Sequence, residues 1–207
     1  MKKDAFVQIS GWSLIVGAIV FLPGVSAMML YDTQYAINNW INWGSQVLTQ
    51  VLTWAIFLSP ILFAVGMMGL RARYRIGGGF LLFGAVVGGI VTLIGTLGQM
   101  FAPVYSISET YYRVWFGGAY ILFACLTIFG IITLRQRPMP SWNGLPLLSG
   151  LWFTLIPLLS PLFSGIKSVS VEASLIMAIA GFVVMAAVQI VLGYILQAGA
   201  SQATVTT

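Results

Sequence analysis

Histidine is absent from the chain, and cysteine occurs once, as Cys125, among 207 residues. Without histidine the chain lacks the usual axial ligand of haem, the imidazole ligand of transition metals and the side chain that exchanges protons near neutral pH. A single cysteine excludes a disulfide within the chain. Because Cys125 lies in an apolar run, we expect it to be a small buried hydrophobic residue. We therefore expect no cofactor and no metal site.

Charged residues are also scarce. They make up 6% of the chain, whereas a soluble domain carries about 25%. Hydrophobic residues make up 59% of the chain, and its mean hydropathy is +1.00. No soluble fold hides this much apolar surface, so the composition predicts an integral membrane protein. The net charge of +5 comes from basic residues at the ends of apolar runs, which indicates membrane topology and no nucleic-acid partner.

Catalytic motifs are missing as well. The sequence has no His-Glu zinc motif, no nucleophile elbow and no phosphate-cradling loop. No Asp, Glu, Lys or Arg falls in the middle of a predicted span, although ion-coupled transporters and proton pumps depend on such charges. We therefore expect that the chain is not an enzyme.

What the chain does contain is a series of apolar windows, each long enough to cross a bilayer with about 20 residues. The windows predict six transmembrane helices, at about residues 9–30, 47–70, 76–100, 114–134, 145–165 and 173–197. We expect a loop over residues 102–112 and disorder over the last ten residues. The predicted fold is an all-α integral membrane protein, with residues 1–207 forming a single polytopic domain.

Basic residues predict how the chain is threaded. Six helices place both termini on the same side, and with the N-terminus inside only Arg113 and Lys167 lie outside. The residues then on the cytoplasmic side are Lys2, Lys3, Arg71, Arg73, Arg75, Arg135 and Arg137. Because basic residues accumulate in cytoplasmic loops, this count predicts a plasma or inner membrane protein with both termini in the cytoplasm.

Similar segments recur along the chain. Residues 14–20 resemble residues 81–87, and residues 147–150 echo both. Residues 66–73 match residues 130–137 at an offset of 64. A fixed period favours a true repeat of three two-helix hairpins, which would cover residues 1–70, 71–137 and 138–207. The alternative is chance similarity among helices rich in leucine and glycine.

Glycines line one face of the third predicted helix. They are Gly77, Gly84, Gly88 and Gly95. Helices in lipid associate by close backbone approach, so this stripe predicts a helix-packing face. The face is either an interface with a partner or, as we favour, a contact with helices of the same chain.

Prolines and glutamines mark a candidate cavity. Pro157 and Pro161 lie in the fifth predicted helix, and a proline-broken helix lines the substrate site in some transporters. Prolines are also tolerated in membrane helices without that role. We expect Gln50 and Gln99 near the outer end of the bundle and Gln189 nearer the inner end, all facing the interior.

The predicted outer surface combines aromatic, amide and charged side chains. They include Asp32, Asn39, Trp40, Trp43, Glu109, Tyr111, Tyr112 and Arg113. Such a surface suits a sugar, a lipid headgroup or a protein partner. The alternative, which we favour, is an aromatic belt at the membrane surface with solvated loop charges.

For function, the sequence favours a structural or accessory membrane subunit that packs against other membrane proteins, lipids or pigments. The basis is the absence of buried charge together with glycine-lined faces and aromatic belts. The alternative is a small transporter or channel for a neutral or amphipathic solute, based on the repeat and the prolines of the fifth helix. A third possibility is a sensor whose outer surface binds a ligand.

Overall fold

A computed structural model describes residues 3–37, 46–101, 105–139, 141–165 and 171–205. Within these ranges the chain is helical and contains no strand. The six helices are α1 (Lys3–Ile37), α2 (Gln46–Tyr74), α3 (Gly78–Phe83, Gly84–Gly88 and Gly89–Phe101 in succession), α4 (Tyr105–Gln136), α5 (Leu145–Gly165) and α6 (Val171–Val205). The middle segment of α3 is a π-helical turn.

Five of the six helices are long and apolar enough to cross a membrane. Within the described residues, α5 contributes a shorter apolar stretch, Leu145–Leu155. All six helices lie where the apolar windows predict them. The prediction of an all-helical, multi-pass membrane protein is confirmed.

The loop predicted over residues 102–112 is wrong for most of its length, because α4 begins at Tyr105. Tyr111 of this segment belongs to a helix–helix contact instead. A Cβ built on Gly98 of α3 would lie 1.9 Å from Cδ1 of Tyr111, so the tyrosine ring lies directly on the glycine. This contact holds the first turns of α4 against α3.

The disorder predicted for the last ten residues is wrong for residues 198–205, because α6 continues to Val205. Residues 206 and 207 lie outside the described residues. The extension contains three alanines, the residue with the highest intrinsic helix propensity. They are Ala198, Ala200 and Ala203. Polarity alone therefore misjudged this segment, whose alanines favour continuation of the helix.

Helices α2 and α4 end in the same way. Arg75 has a φ of 55°, and its backbone N–H donates to Arg71 O at 3.0 Å. Arg137 has a φ of 52°, and its N–H donates to Thr133 O at 2.8 Å. A left-handed residue that bonds back to the last turn is a common helix terminator, usually glycine. Here an arginine takes that position in both helices, so the residue that ends the helix also carries the charge.

The helices pack in chain order, each against the next, and α6 packs back against α1. Helix α2 also contacts α4 and α6. As a result α1, α3 and α5 each lie between two even-numbered helices, and α2 is the most central of the six.

The glycine stripe of α3 faces α4 along its whole length. Its members are Gly77, Gly84, Gly88 and Gly95. A Cβ on Gly95 would lie 2.4 Å from the backbone N of Trp115, and one on Gly88 would lie 2.9 Å from Gly118 O. Only glycine permits backbones this close. The stripe is thus occupied by a helix of the same chain.

Candidate functional site

Five phenylalanines close the middle of the bundle. One comes from each of α1, α2, α4, α5 and α6: Phe21, Phe63, Phe123, Phe153 and Phe182. Neighbouring ring centroids lie 4.7–6.5 Å apart around the full cycle. All five side chains are buried. Ring contacts at these separations fill the space between the helices, so the interior is packed at this level.

A proline in α2 creates the first polar feature of the bundle. Pro60 has no N–H, so the carbonyl of Ile56 loses its usual helical donor. The hydroxyl of Ser59 donates to Ile56 O at 2.9 Å and replaces that donor. The Ile56 carbonyl therefore has a hydrogen-bond donor from within α2.

The next carbonyl of α2 joins three helices. Phe57 O accepts a hydrogen bond from Trp115 Nε1 of α4 at 3.2 Å and lies 3.0 Å from Thr96 Oγ1 of α3. The Thr96 hydroxyl proton is shared between Phe57 O and Thr92 O, which lies 2.9 Å away in its own helix. Both donors are buried. We call Phe57, Thr96 and Trp115 the α2–α3–α4 node. A serine directly before a proline indicates the bend in the sequence, but nothing in the sequence indicates the two distant donors.

A second polar feature lies between α5 and α6. Gln189 is buried, and its Nε2 donates to Ser149 Oγ at 2.5 Å. The other amide atom, Oε1, has no hydrogen-bond partner, and neither has Nε1 of Trp152, whose indole lies on Gly181 of α6. The predicted inward orientation of Gln189 agrees with this geometry. Two buried polar atoms without partners make this contact the least satisfied part of the described interior.

The other residues of the candidate cavity do not join Gln189 in one site. Gln99 is half-buried near the end of α3 and has a partner. The side chains of Gln50, Pro157 and Pro161 lie outside the described residues. Their role in a cavity stays a prediction.

The outer aromatic surface is described only in part. Tyr112 stacks on Trp115 with ring centroids 6.0 Å apart, and Tyr111 lies on Gly98. Arg113 is exposed and has a partner. The remaining predicted members fall outside the residues or side chains that the structure describes: Asp32, Asn39, Trp40, Trp43 and Glu109. In the described part Tyr111 belongs to the α3–α4 contact, and Tyr112 stacks within α4.

Of the five arginines at the ends of α2 and α4, one is bonded and four are exposed. Arg73 Nη1 donates to Ile195 O at 2.5 Å and to Leu196 O at 3.1 Å, which ties the end of α2 to α6. Its guanidinium also lies 5.3 Å from the centroid of the Tyr74 ring. The exposed residues are Arg71, Arg75, Arg135 and Arg137.

Two helices present contrasting outward faces. The exposed side of α3 carries large side chains: Phe80, Phe83, Val86, Ile90, Leu93, Ile94, Leu97 and Phe101. The exposed side of α6 carries two alanines among β-branched side chains, between Ile176 and Tyr194: Ala180, Val183, Val184, Ala187 and Ile190. We call these the α3 face and the α6 face. The α6 face therefore includes two alanines, whereas the α3 face includes none.

Comparison with protein-family models, with curated protein sequences and with solved structures finds no match to this chain.

Proposed function

We propose that the chain is a non-enzymatic accessory subunit of the cell membrane, which packs against another integral membrane protein. The observation that carries the proposal is the α6 face, where two exposed alanines, Ala180 and Ala187, lie among exposed β-branched side chains. Helices in lipid associate through close backbone approach, which small side chains permit. The α6 face therefore suits a partner helix better than it suits lipid chains.

The rest of the molecule supports an outward-facing role. The ring of phenylalanines fills the interior, and the buried polar side chains among the described residues are serines, threonines and one glutamine. The glycine stripe of α3 is already covered by α4. The α3 face has the bulky side chains that pack well among lipid tails. Of these two outward faces, the α6 face is the one that we assign to a protein partner.

The test is extraction from the native membrane in a mild detergent, followed by size separation and mass spectrometry of co-migrating proteins. The proposal expects a fixed set of larger membrane proteins. Ala187→Phe on the α6 face should release them, whereas the matched change Val86→Phe on the α3 face should not. Migration as a monomer would contradict the proposal, and migration as a homo-oligomer would replace the foreign partner by a second copy of the chain.

The proposal includes an orientation with both termini in the cytoplasm of a cell with a plasma or inner membrane. It is supported by the seven basic residues that this orientation places inside, against two outside. The start of α1, the end of α2 and the C-terminal part of α6 lie together, as shown by the close pairs Ser10–Gly69 and Gly11–Gly193. A cysteine at Gln136 should react with impermeant maleimide only after the membrane is opened.

We also propose that the six helices are three hairpins related by an axis along the membrane normal. Its support is the packing order, in which each odd-numbered helix lies between two even-numbered ones. Corresponding glycines do not face corresponding neighbours: Gly17 and Gly84 lie against the following helix, and Gly150 lies against the preceding one. The repeat is therefore one of topology, with the third hairpin packed differently.

The alternative function is transport of a small neutral or amphipathic solute. The observation that favours it is the pair of unpartnered atoms, Gln189 Oε1 and Trp152 Nε1, at the α5–α6 contact. The ring of phenylalanines opposes it, because a solute must pass that level. Proteoliposomes loaded with glycerol would decide: a flux that Gln189→Leu abolishes supports transport, and a flux equal to that of protein-free vesicles contradicts it.

A further inference from the structure

A cleft of about 630 Å³ opens at the end of the bundle where α2 turns into α3. Its walls come from the first turn of α1, the last turns of α2 and the first turn of α3. The side chains of Phe6 and Met68 supply apolar walls, and Arg71 and Arg75 supply charge. The cleft thus combines two guanidinium groups with an apolar lining at the boundary of the predicted spans.

The guanidinium groups of Arg71 and Arg75 are without protein partners in the part of the chain that the structure describes. Arg73, between them in sequence, behaves differently because its guanidinium is bonded to two carbonyls of α6. Within the basic turn, Arg73 therefore connects α2 to α6, whereas Arg71 and Arg75 remain available to an anion.

The floor of the cleft is glycine. A Cβ on Gly78 would lie 3.3 Å from Cγ of Arg71, so the arginine side chain passes directly over this residue. A Cβ on Gly79 would meet nothing within 4 Å. The exposed ring of Phe80 follows at once, and the rest of the α3 face continues from it across the membrane. An apolar path therefore leads from the charged cleft along α3.

We propose that this cleft binds one anionic phospholipid, with the phosphate between Arg71 and Arg75 and an acyl chain along the α3 face. Guanidinium groups bind phosphate oxygens with directed, charge-assisted hydrogen bonds. Basic pockets between membrane helices at the level of the headgroups recognise anionic lipids in this way. The site goes beyond the proposed function, since it needs no protein partner.

The test titrates the purified full-length protein in detergent with phosphatidylglycerol or phosphatidylcholine and counts bound lipid by native mass spectrometry. Phosphatidylglycerol should bind more tightly. The double variant Arg71→Gln/Arg75→Gln should weaken its binding about 25-fold, since each basic residue near an anionic surface contributes about fivefold. The matched variant Arg135→Gln/Arg137→Gln removes the same charge from exposed arginines outside the cleft and should change the affinity less than about twofold.

A steric variant tests the cleft without changing any charge. Gly79→Trp fills open space in the first turn of α3 and should also abolish the preference for phosphatidylglycerol. If both double arginine variants lost the same affinity for phosphatidylglycerol, the proposal would be overturned, because the effect would then come from general surface charge. Unchanged binding in Arg71→Gln/Arg75→Gln or in Gly79→Trp would overturn it too. Because the isolated chain is used, neither result depends on whether a partner protein exists.

Discussion

The α3–α4 contact and the α5–α6 contact both use glycine, but for opposite purposes. Between α3 and α4, a Cβ on Gly118 would lie 2.4 Å from Thr92 N and 2.8 Å from Gly88 O, so backbone meets backbone. Between α5 and α6, a Cβ on Gly181 would lie 1.7 Å from Cε2 of Trp152. There the indole ring of Trp152 lies on the glycine, so side chain meets backbone.

The two contacts also differ in whether their buried polar groups have hydrogen-bond partners. At the first, Thr96 and Trp115 donate to a carbonyl of α2, and Thr92 Oγ1 donates to Gly88 O at 2.7 Å. At the second, Trp152 Nε1 and Gln189 Oε1 have no partner. The donors at the first contact reach carbonyls of α2 and of their own helix, whereas two polar atoms at the second contact have no partner. We expect the first contact to be intolerant of change and the second to be tolerant.

The largest effect should come from Gly118→Ala. The added methyl group has no room against the backbone of α3, and overpacking of this kind costs about 3 kcal/mol of unfolding free energy. The control is the adjacent Gly117→Ala, because a Cβ there would meet nothing within 4 Å. The control gains helix propensity, worth up to about 1 kcal/mol.

Both alanine variants are measured by reversible unfolding in mixed micelles, with helix content followed by circular dichroism. Equal stabilities for Gly117→Ala and Gly118→Ala would show that α3 and α4 are not in backbone contact at this position.

A smaller effect is expected from Thr96→Val, which keeps the shape of the side chain and removes its bond to Phe57 O. Hydrogen bonds between membrane helices contribute about 0.6 kcal/mol on average and up to about 1.7. We expect a loss of about 1 kcal/mol, because Trp115 Nε1 still serves the same carbonyl. Thr92→Val is the control, since that buried hydroxyl bonds only within its own helix. If Thr92→Val lowered the unfolding free energy as much as Thr96→Val, the α2–α3–α4 node would make no separate contribution to stability.

The sequence predicted the existence and face of the glycine stripe but not its partner. Residues 77, 84, 88 and 95 recur at spacings that place them on one side of a helix. Every helix of the chain contains small residues, so the pattern itself does not select α4. That choice follows from the short turn at Arg75, which folds α3 back against α2, and from packing across the whole bundle.

The polar features were less predictable. Pro60 by itself predicts that the carbonyl of Ile56 lacks its helical donor, and the neighbouring Ser59 hydroxyl supplies one. Thr96 and Trp115 are 39 and 58 residues away from the carbonyl that they share. Their meeting depends on the tertiary arrangement of three helices. The same holds for Ser149 and Gln189, which are 40 residues apart.

The smallest expected effect is the most informative about the tolerant contact. Gln189→Leu removes one hydrogen bond to Ser149 together with the unpartnered Oε1, so the unfolding free energy should stay the same or rise by about 1 kcal/mol. Ser149→Ala alone leaves the amide Nε2 of Gln189 without its acceptor and should cost about 1 kcal/mol. In the Gln189→Leu background the same Ser149→Ala change should cost nothing.

This double-mutant cycle separates two states of the α5–α6 contact. If Gln189→Leu lowers the unfolding free energy by more than about 1 kcal/mol, its Oε1 has a partner in the membrane, and a water molecule or a solute becomes the natural candidate. That result would strengthen the transport alternative and weaken the contrast between the two contacts. A neutral or stabilising result instead identifies a dry interior, in which the glutamine is tolerated without being used.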